Sequence, residues 1–170
     1  VVEGANGSLG LSILKVLLDL NIRPRSLILT TNNSDVSKKW SSVADNILHL
    51  KRSNKNFSDL LSNALYGKEF NLIFGAGYGQ PAKFMENPNG AIEANTNNLL
   101  FYNDFRIKHF AYLSTSEIYS GVNGEAFEDS KTISTPKDVR SVYIESKRLG
   151  EAITHNILSL SAERYAVYRI

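Results

Sequence analysis

Short apolar runs alternate with helical patterns along the whole chain, and this alternation constrains the fold more than any other feature of the sequence. The expected strands are 1–2, 26–30, 47–50, 70–76, 109–114 and 165–170, the expected helices are 9–20, 57–65, 91–105 and 141–159, and the expected loops are 52–56 and 121–136. Alternating strands and helices are typical of a parallel sheet with helices on both faces. The sequence therefore predicts an α/β fold.

The composition fits one domain and argues against several kinds of partner. The 170 residues carry a net charge of +2 with scattered basic side chains, so no nucleic-acid surface is expected. The longest apolar stretch, 9–20, is interrupted by Ser12, Lys15 and Asp19 and is too short to cross a bilayer. The chain has no cysteine, and its three histidines lack a mutual ligand spacing, so no disulfide or metal site is predicted. We therefore expect a cytoplasmic protein without a nucleic-acid or membrane partner.

Three glycines with GxxGxxG spacing follow the first strand and lead directly into the first helix. Glycines let the chain turn tightly and let a pyrophosphate approach the backbone, while a helix N-terminus offers N–H groups and a partial positive charge. In this context the motif predicts a dinucleotide site; the alternative is a turn before a helix that binds nothing. The expected cofactor contacts in this loop are Gly4, Asn6, Gly7, Ser8, Leu9 and Gly10.

The end of the second strand leaves the type of nicotinamide cofactor open. In many such domains an acidic residue about 20 residues further on binds the ribose hydroxyls of NAD. This chain has Thr30, Thr31 and Asn32 there instead. A missing carboxylate removes the repulsion that would exclude a 2′-phosphate, and Lys38 or Lys39 would attract one. The expected cofactor is NAD, with Thr30 as a contact, and NADP stays open as the alternative.

Tyr143 and Lys147 form a YxxxK pair within the last expected helix. Residues four apart share one face of a helix, so the ammonium of Lys147 can lie close to the phenol. A nearby cation stabilises a phenolate and lowers the pKa of a tyrosine, which is about 10 in the free side chain. The pair is therefore a candidate base near neutral pH, and the alternative is an exposed helical pair. The glycine loop and the hydroxyl-rich segment 114–119 upstream favour the base.

Four features together resemble one known family: the glycine loop, the segment 114–119 (STSEIY), the YxxxK pair, and Asn95 followed by Thr96. The chain resembles the nucleotide-binding half of an extended short-chain dehydrogenase/reductase, in the NAD-dependent epimerase/dehydratase family that acts on nucleotide sugars. The resemblance covers essentially all 170 residues. It implies a Rossmann fold, a doubly wound parallel sheet with the cofactor across the carboxyl ends of its strands.

The same resemblance implies further properties of the whole protein. Residues 1–170 are expected to form one NAD(P)-binding domain that is truncated at both ends relative to the family. The C-terminal substrate lobe is expected to be missing from this chain. Helices 91–105 and 141–159 are expected to form the face of a homodimer, because both carry apolar residues on more than one side.

Within the family, the segments 77–88 and 114–119 are similar to the UDP-glucuronate decarboxylase and sugar 4,6-dehydratase branch. By this resemblance Thr115 takes the catalytic Ser/Thr position and Glu117 that of a general acid/base. Ala76, Gly77 and Asn95 join Tyr143 and Lys147 among the expected cofactor contacts.

The chain departs from the family pattern on the adenosine side. Glu3 stands where the family usually has a small or hydroxylated residue, and the acidic residue of the second strand is missing. Residues 52–54 also lack the aspartate expected to bind the adenine amino group. These departures concern the cofactor and leave the catalytic segment untouched.

The resemblance implies a reaction that starts with oxidation at C4 of the sugar. Tyr143 as phenolate removes the proton of the 4-hydroxyl while C4 passes a hydride to nicotinamide, with Lys147 lowering the tyrosine pKa and Thr115 orienting the same oxygen. The 4-keto group then permits loss of a C6 carboxylate or hydroxyl, with Glu117 as acid/base. We therefore expect a nucleotide-sugar decarboxylase or dehydratase. The alternatives are a 4-epimerase, a 4-reductase, and a non-catalytic nucleotide-binding regulatory domain.

Overall fold

The structure is a computed structural model that describes residues 1–36, 38–130 and 135–170. Its strands are β1 (Val2–Glu3), β2 (Ser26–Thr31), β3 (Asn46–Lys51), β4 (Phe70–Phe74), β5 (Ile107–Ser114) and β6 (Ala162–Arg169). They form one sheet in the order β3-β2-β1-β4-β5-β6, and β1 runs parallel to both β2 and β4. Strand order reverses beside β1, which is the doubly wound arrangement. The predicted fold class is confirmed.

The described residues also form α-helices and short 3₁₀ turns. The helices are α1 (Ser8–Asp19), α2 (Phe57–Leu65), α3 (Pro81–Glu86), α4 (Pro88–Asn95), α5 (Asn97–Leu100) and α6 (Ser141–Asn156). The 3₁₀ turns are Lys38–Ser42, Phe101–Asp104, Ser116–Tyr119 and Leu158–Leu160. Across the described segments, no helix combines the length and apolar character needed to cross a membrane.

The expected helix 91–105 is not continuous. Helix α4 ends at Asn95 and α5 begins at Asn97, because Thr96 leaves the helical conformation with φ −125° and ψ −74°. The hydroxyl of Thr96 donates to the backbone oxygen of Ile92 at 2.7 Å, a side-chain bond that competes with the helical backbone. Apolar spacing does not reveal such a break, so the prediction is right about position and wrong about continuity.

Two other predicted segments differ from the structure or are described only in part. The last expected helix, 141–159, ends at Asn156 and is followed by a 3₁₀ turn. The expected loop 121–136 has neither helix nor strand where it is described, and its residues 131–134 lie outside the described residues. Helix α3 was not predicted; it has only six residues and begins with a proline, which suits the first helical turn.

The chain forms two compact units, the first comprising Val1–Ala76 with Phe105–Phe110 and the second Gly77–Asp104 with Ala111–Ile170. In the first unit, Trp40 is 1% exposed and its Nε1 donates to the backbone oxygen of Ala5 at 3.3 Å. The buried residues packed together around it are Val2, Ala5, Leu14, Leu27, Leu29, Trp40, Val43 and Ala44. This core fixes the β1–α1 connection, which carries the glycine loop.

In the second unit, α6 packs so closely that one of its positions has no room for a side chain. A Cβ on Gly150 would lie 2.0 Å from Oη of Tyr112 and 2.9 Å from the backbone oxygen of Asn95. The close approach draws the face of α6 that carries Tyr143 and Lys147 into the interior. Several polar groups are therefore buried on this helix, and they form the candidate site of this unit.

Candidate active site

Two positions of the glycine loop in the first unit, Gly4 and Gly10, leave no room for a side chain. Gly4 has φ +78°, and a Cβ there would lie 2.9 Å from the backbone oxygen of Gly75. A Cβ on Gly10 would lie 2.5 Å from the backbone oxygen of Gly4. The first and third glycines of the motif are thus required by the close packing of α1 on the end of β1.

This packing presents the N-terminus of α1 as an anion site. The N–H of Leu11 donates to the oxygen of Gly7 at 2.9 Å, so the N–H groups of residues 8–10 precede the helical ladder. Asn6 donates from Nδ2 to Oγ of Ser34 at 3.1 Å, which ties the loop to the segment after β2. The arrangement fits the pyrophosphate of a dinucleotide, and the predicted contacts at Asn6, Ser8 and Leu9 stay predictions.

Thr30 lies at the carboxyl end of β2 but uses its hydroxyl within the protein. Its side chain is 1% exposed and donates to the carboxylate of Glu3, the last residue of β1. Lys38 and Lys39, the candidates for attracting a 2′-phosphate, are exposed in a 3₁₀ turn. The hydroxyl of Thr30 is therefore buried and already bonded to Glu3. A contact between Thr30 and the cofactor stays a prediction.

In the second unit, the structure brings Tyr143 together with Thr115. Both side chains are buried, at 5% and 6% exposed, and the hydroxyl of Thr115 lies near enough to the phenol to lower its pKa. Thr115 follows β5 in an extended conformation, and its Oγ1 accepts the N–H of Glu117 at 3.3 Å. The strand end thus places a second hydroxyl near the phenol.

Lys147 is held next to this pair by the backbone of β5. Its Nζ donates to the oxygen of Leu113 at 2.8 Å and lies 5.2 Å from the ring centroid of Tyr112. Burial lowers the pKa of Lys147 to about 8, and the negative charge of Glu151 acts in the opposite direction. The ammonium is therefore fixed in place but poorly solvated.

Gly77, Asn95 and Lys147 border a small polar cradle. A Cβ on Gly77 would lie 3.0 Å from Oδ1 of Asn95 and 3.3 Å from Nζ of Lys147. Asn95 donates from Nδ2 to Oγ of Ser146 at 2.9 Å, while its buried Oδ1 has no hydrogen-bond partner among the described residues. A free acceptor beside an ammonium fits the hydroxyl groups of a ribose. The residues of this unit therefore suit the cofactor that the sequence predicts.

The pKa of Tyr143 is raised, not lowered as predicted from the YxxxK pair. Burial of the phenol has the largest effect and raises the pKa; the nearby hydroxyl of Thr115 lowers it, Glu117 raises it and Arg140 lowers it. Because Lys147 directs its ammonium to the oxygen of Leu113, it does not offset the burial. The prediction of a lowered tyrosine pKa is wrong for this arrangement.

Glu117, the predicted acid/base, is bound by an arginine that sequence reasoning missed. Arg140 donates from Nε at 2.9 Å and also from its terminal nitrogen to the two carboxylate oxygens. Its guanidinium lies 5.8 Å from the ring centroid of Phe84, and Phe84 stacks on Tyr143 with centroids 4.6 Å apart. Arg140 lies three residues before Tyr143, so helical spacing could have identified it. Phe84 carries no comparable signal.

A second missed group, Glu151, lies four residues after Lys147 and is 5% exposed. Arg169 donates to its carboxylate from two nitrogens, at 2.8 and 3.0 Å, and also to Oη of Tyr119 at 2.9 Å. Burial alone would raise the pKa of Glu151, but the hydrogen bonds from Arg169 outweigh it and lower the pKa. This network anchors the helix that carries Tyr143 and Lys147.

A protein-family model matches the sequence over nearly its whole length. The model described as the NAD dependent epimerase/dehydratase family matches residues 1–169. The chain belongs to this family. The resemblance found in the sequence is therefore confirmed, although a sequence search of curated proteins finds no match for this epimerase/dehydratase chain.

Three solved structures illustrate the similarity of this fold to known proteins. PbgP3 from Burkholderia pseudomallei has a TM-score of 0.74 and 17% identity, over 99% of this chain and 50% of that one. UDP-glucuronic acid 4-epimerase from Bacillus cereus, in complex with NAD, has a TM-score of 0.68 and 16% identity, over 99% and 54%. UDP-N-acetylglucosamine 4-epimerase from Methanobrevibacter ruminantium M1, in complex with UDP-N-acetylmuramic acid, has a TM-score of 0.72 and 16% identity, over 99% and 53%. At these identities the similarity shows the fold, and the epimerase/dehydratase chain spans about half the length of each structure.

Proposed function

We propose that this protein is a nicotinamide-dependent enzyme that oxidises a nucleotide sugar at C4. The observation that carries the proposal is the burial of Tyr143 near Thr115, on the helix face that also buries Lys147. Once ionised to phenolate, Tyr143 can accept a proton from a sugar hydroxyl and return it, and the positive charge of bound NAD would favour that ionisation. Membership in the NAD-dependent epimerase/dehydratase family supports the proposal, as do the nucleotide sugars named for the similar structures.

Each site residue has a role in this proposal. Bound NAD supplies the hydride acceptor for C4. Tyr143 takes the proton of the 4-hydroxyl on its Oη, and Thr115 holds the same sugar oxygen by a hydrogen bond. Lys147 and Asn95, which border the cradle at Gly77, bind ribose hydroxyls. The N–H groups of residues 8–10 bind the pyrophosphate.

The ion pair between Glu117 and Arg140 favours 4-epimerisation as the outcome. An epimerase only returns the hydride to the other face of C4, whereas dehydration or decarboxylation uses a further acid/base near C5 and C6. Both oxygens of Glu117 accept hydrogen bonds from Arg140, so the carboxylate is held by the arginine, and the pair would have to open or share an oxygen before Glu117 acts on a sugar. Two of the similar structures are named as 4-epimerases of UDP-sugars. The proposed reaction is therefore the interconversion of UDP-sugars that differ at C4.

Decarboxylation or dehydration is the second candidate, because Glu117 lies close enough to Tyr143 to raise its pKa. If the substrate displaced Arg140, a carboxylate two residues after Thr115 would face the reacting sugar. The two possible reactions thus share one first step, the oxidation at C4. Only the fate of the 4-keto sugar distinguishes them.

Product analysis tests the proposal. The purified protein is incubated with NAD and, in turn, UDP-glucose, UDP-glucuronate and UDP-N-acetylglucosamine, with the variant Tyr143→Phe as the inactive control. A 4-epimer of unchanged mass supports epimerisation, and loss of carbon dioxide or water supports the second candidate. Cofactor binding without any product contradicts the enzyme proposal and identifies a non-catalytic nucleotide-binding domain.

A further inference from the structure

A buried carboxylate joins the ends of three strands in the first unit. Glu3 is the last residue of β1 and pairs in register with Thr30 of β2. One of its oxygens accepts the hydroxyl of Thr30, and the other accepts a terminal nitrogen of Arg52 at 2.6 Å. Arg52 directly follows β3, so its side chain reaches across the end of β2 to β1.

The surroundings hold this arrangement firmly. Glu3 is 1% exposed and the side chain of Arg52 is 18% exposed. The guanidinium carbon of Arg52 lies 4.4 Å from the ring centroid of Phe57, the first residue of α2, and its backbone N–H donates to Thr31 at 2.8 Å. A buried carboxylate is costly unless it is paired and hydrogen-bonded, and here each oxygen has a partner.

The neighbouring cation is paired in the same way. Lys51, the last residue of β3, lies 2.7 Å from a carboxylate oxygen of Asp35 in the segment after β2. The two cations at the end of β3 are therefore both matched by carboxylates.

The position of the Glu3–Arg52 pair in the sheet bears on which nicotinamide cofactor the chain binds. In dinucleotide domains, the end of the second strand carries a carboxylate that binds the ribose of NAD, whereas a nearby arginine accommodates the 2′-phosphate of NADP. This chain has Thr30 at that strand end and an arginine lying across it. Arg52 would suit a 2′-phosphate, but Glu3 occupies one of its donors and adds a negative charge that repels a phosphate.

We propose that Glu3 determines selectivity for NAD over NADP, supplying from β1 the carboxylate that β2 lacks. Glu3 is a positioning residue that acts through Arg52 and Thr30. The inference rests on the proposed binding of a nicotinamide cofactor. It also accounts for a glutamate at a position where the resembled family usually has a small or hydroxylated residue.

Dissociation constants for NADH and NADPH, measured by fluorescence titration, test the inference. The variant Glu3→Gln keeps the shape of the side chain and removes its charge, so NADPH should gain affinity relative to NADH by about tenfold or more. In the double variant Glu3→Gln with Arg52→Gln the gain should disappear, because the arginine provides the attraction. Glu3→Thr gives the same test with a smaller side chain if the glutamine variant does not fold.

Glu69→Gln is the matched control, because Glu69 pairs with Arg106 at the amino end of β4. It removes the same charge from an exposed glutamate–arginine pair and should leave the ratio of the two constants unchanged. Wild-type protein that binds NADPH as tightly as NADH would overturn the inference, as would folded Glu3 variants with an unchanged ratio. Wild-type protein that binds neither cofactor would overturn the proposed function as well, so the two failures are distinguishable.

Discussion

At the scale of single residues, burial disfavours the charged form of Lys147. Its pKa is lowered to about 8 in the folded protein, against 10.5 for an exposed lysine. Between these values the unfolded chain binds more protons than the folded one, so the free energy of unfolding should rise with pH. The lysine should contribute about 3 kcal/mol of this rise, which is complete above pH 10.5 and lost as the pH falls to 8.

Denaturant unfolding of wild type and Lys147→Met checks this prediction. Other groups also titrate in this range, so the informative quantity is the difference between the two proteins. Wild type should gain stability relative to the methionine variant as the pH rises from 8 to 10.5. A difference that stays constant, or that changes in the other direction, would show that the ammonium is not desolvated.

Glu117 provides a second residue-scale prediction, which separates the two reaction outcomes. In a 4-epimerase the variant Glu117→Gln should retain activity to within about tenfold, because Tyr143 transfers the proton and Thr115 only orients the sugar oxygen. In a decarboxylase or dehydratase it should stall after oxidation, and a 4-keto sugar or reduced cofactor should accumulate. Product mass and cofactor absorbance are followed together, with Glu125→Gln, an exposed loop residue, as the control.

At the scale of elements, the β1–α1 connection depends on glycines more than on side chains. Gly10→Ala would place a Cβ 2.5 Å from the oxygen of Gly4 and 2.6 Å from the carbonyl carbon of Ala5. Since both contacts are backbone atoms, the helix must shift, and we expect a loss of at least about 2 kcal/mol in the free energy of unfolding. Thermal and denaturant unfolding measure the loss.

The control for this variant is Gly79→Ala, where a Cβ would meet nothing within 4 Å. Its stability should match that of wild type within about 0.5 kcal/mol. If Gly10→Ala were equally well tolerated, the close packing of α1 on β1 would not be needed for folding, and the glycine would have to be explained by ligand binding alone.

The elements also show which parts of the structure can be predicted from the sequence. Strand and helix positions follow from local periodicity, and Tyr143 and Thr115 meet because each lies at a predictable end or face of an element. The break at Thr96 is a change in the backbone conformation of one residue, which apolar periodicity does not contain. The pairings of Glu3 with Arg52 and Glu117 with Arg140 join residues far apart in the chain, so neither could be predicted without the fold.

At the scale of the whole molecule, we expect a homodimer through the helical segments 91–105 and 141–159. Apolar side chains are exposed on these segments: Ile92 at 43%, Leu100 at 37% and Leu149 at 51%. Leu149→Glu should shift the protein toward monomer in small-angle scattering and sedimentation, because a charge would be buried at the interface. Leu60→Glu on α2, where Leu60 is 45% exposed, should not. A wild-type monomer at high concentration would contradict the expectation.

The most direct test of the account follows the hydrogen on C4 of the sugar. UDP-sugars carrying deuterium at C4 are mixed with an excess of the purified protein and NAD, and the reaction is quenched within the first turnover, before the hydride returns to the sugar, so that the reduced cofactor can be analysed by mass spectrometry. The account predicts that deuterium appears in this transient reduced cofactor with wild type and not with Tyr143→Phe, although both bind NAD. Turnover or substrate binding without any transfer of the C4 deuterium would contradict oxidation at C4.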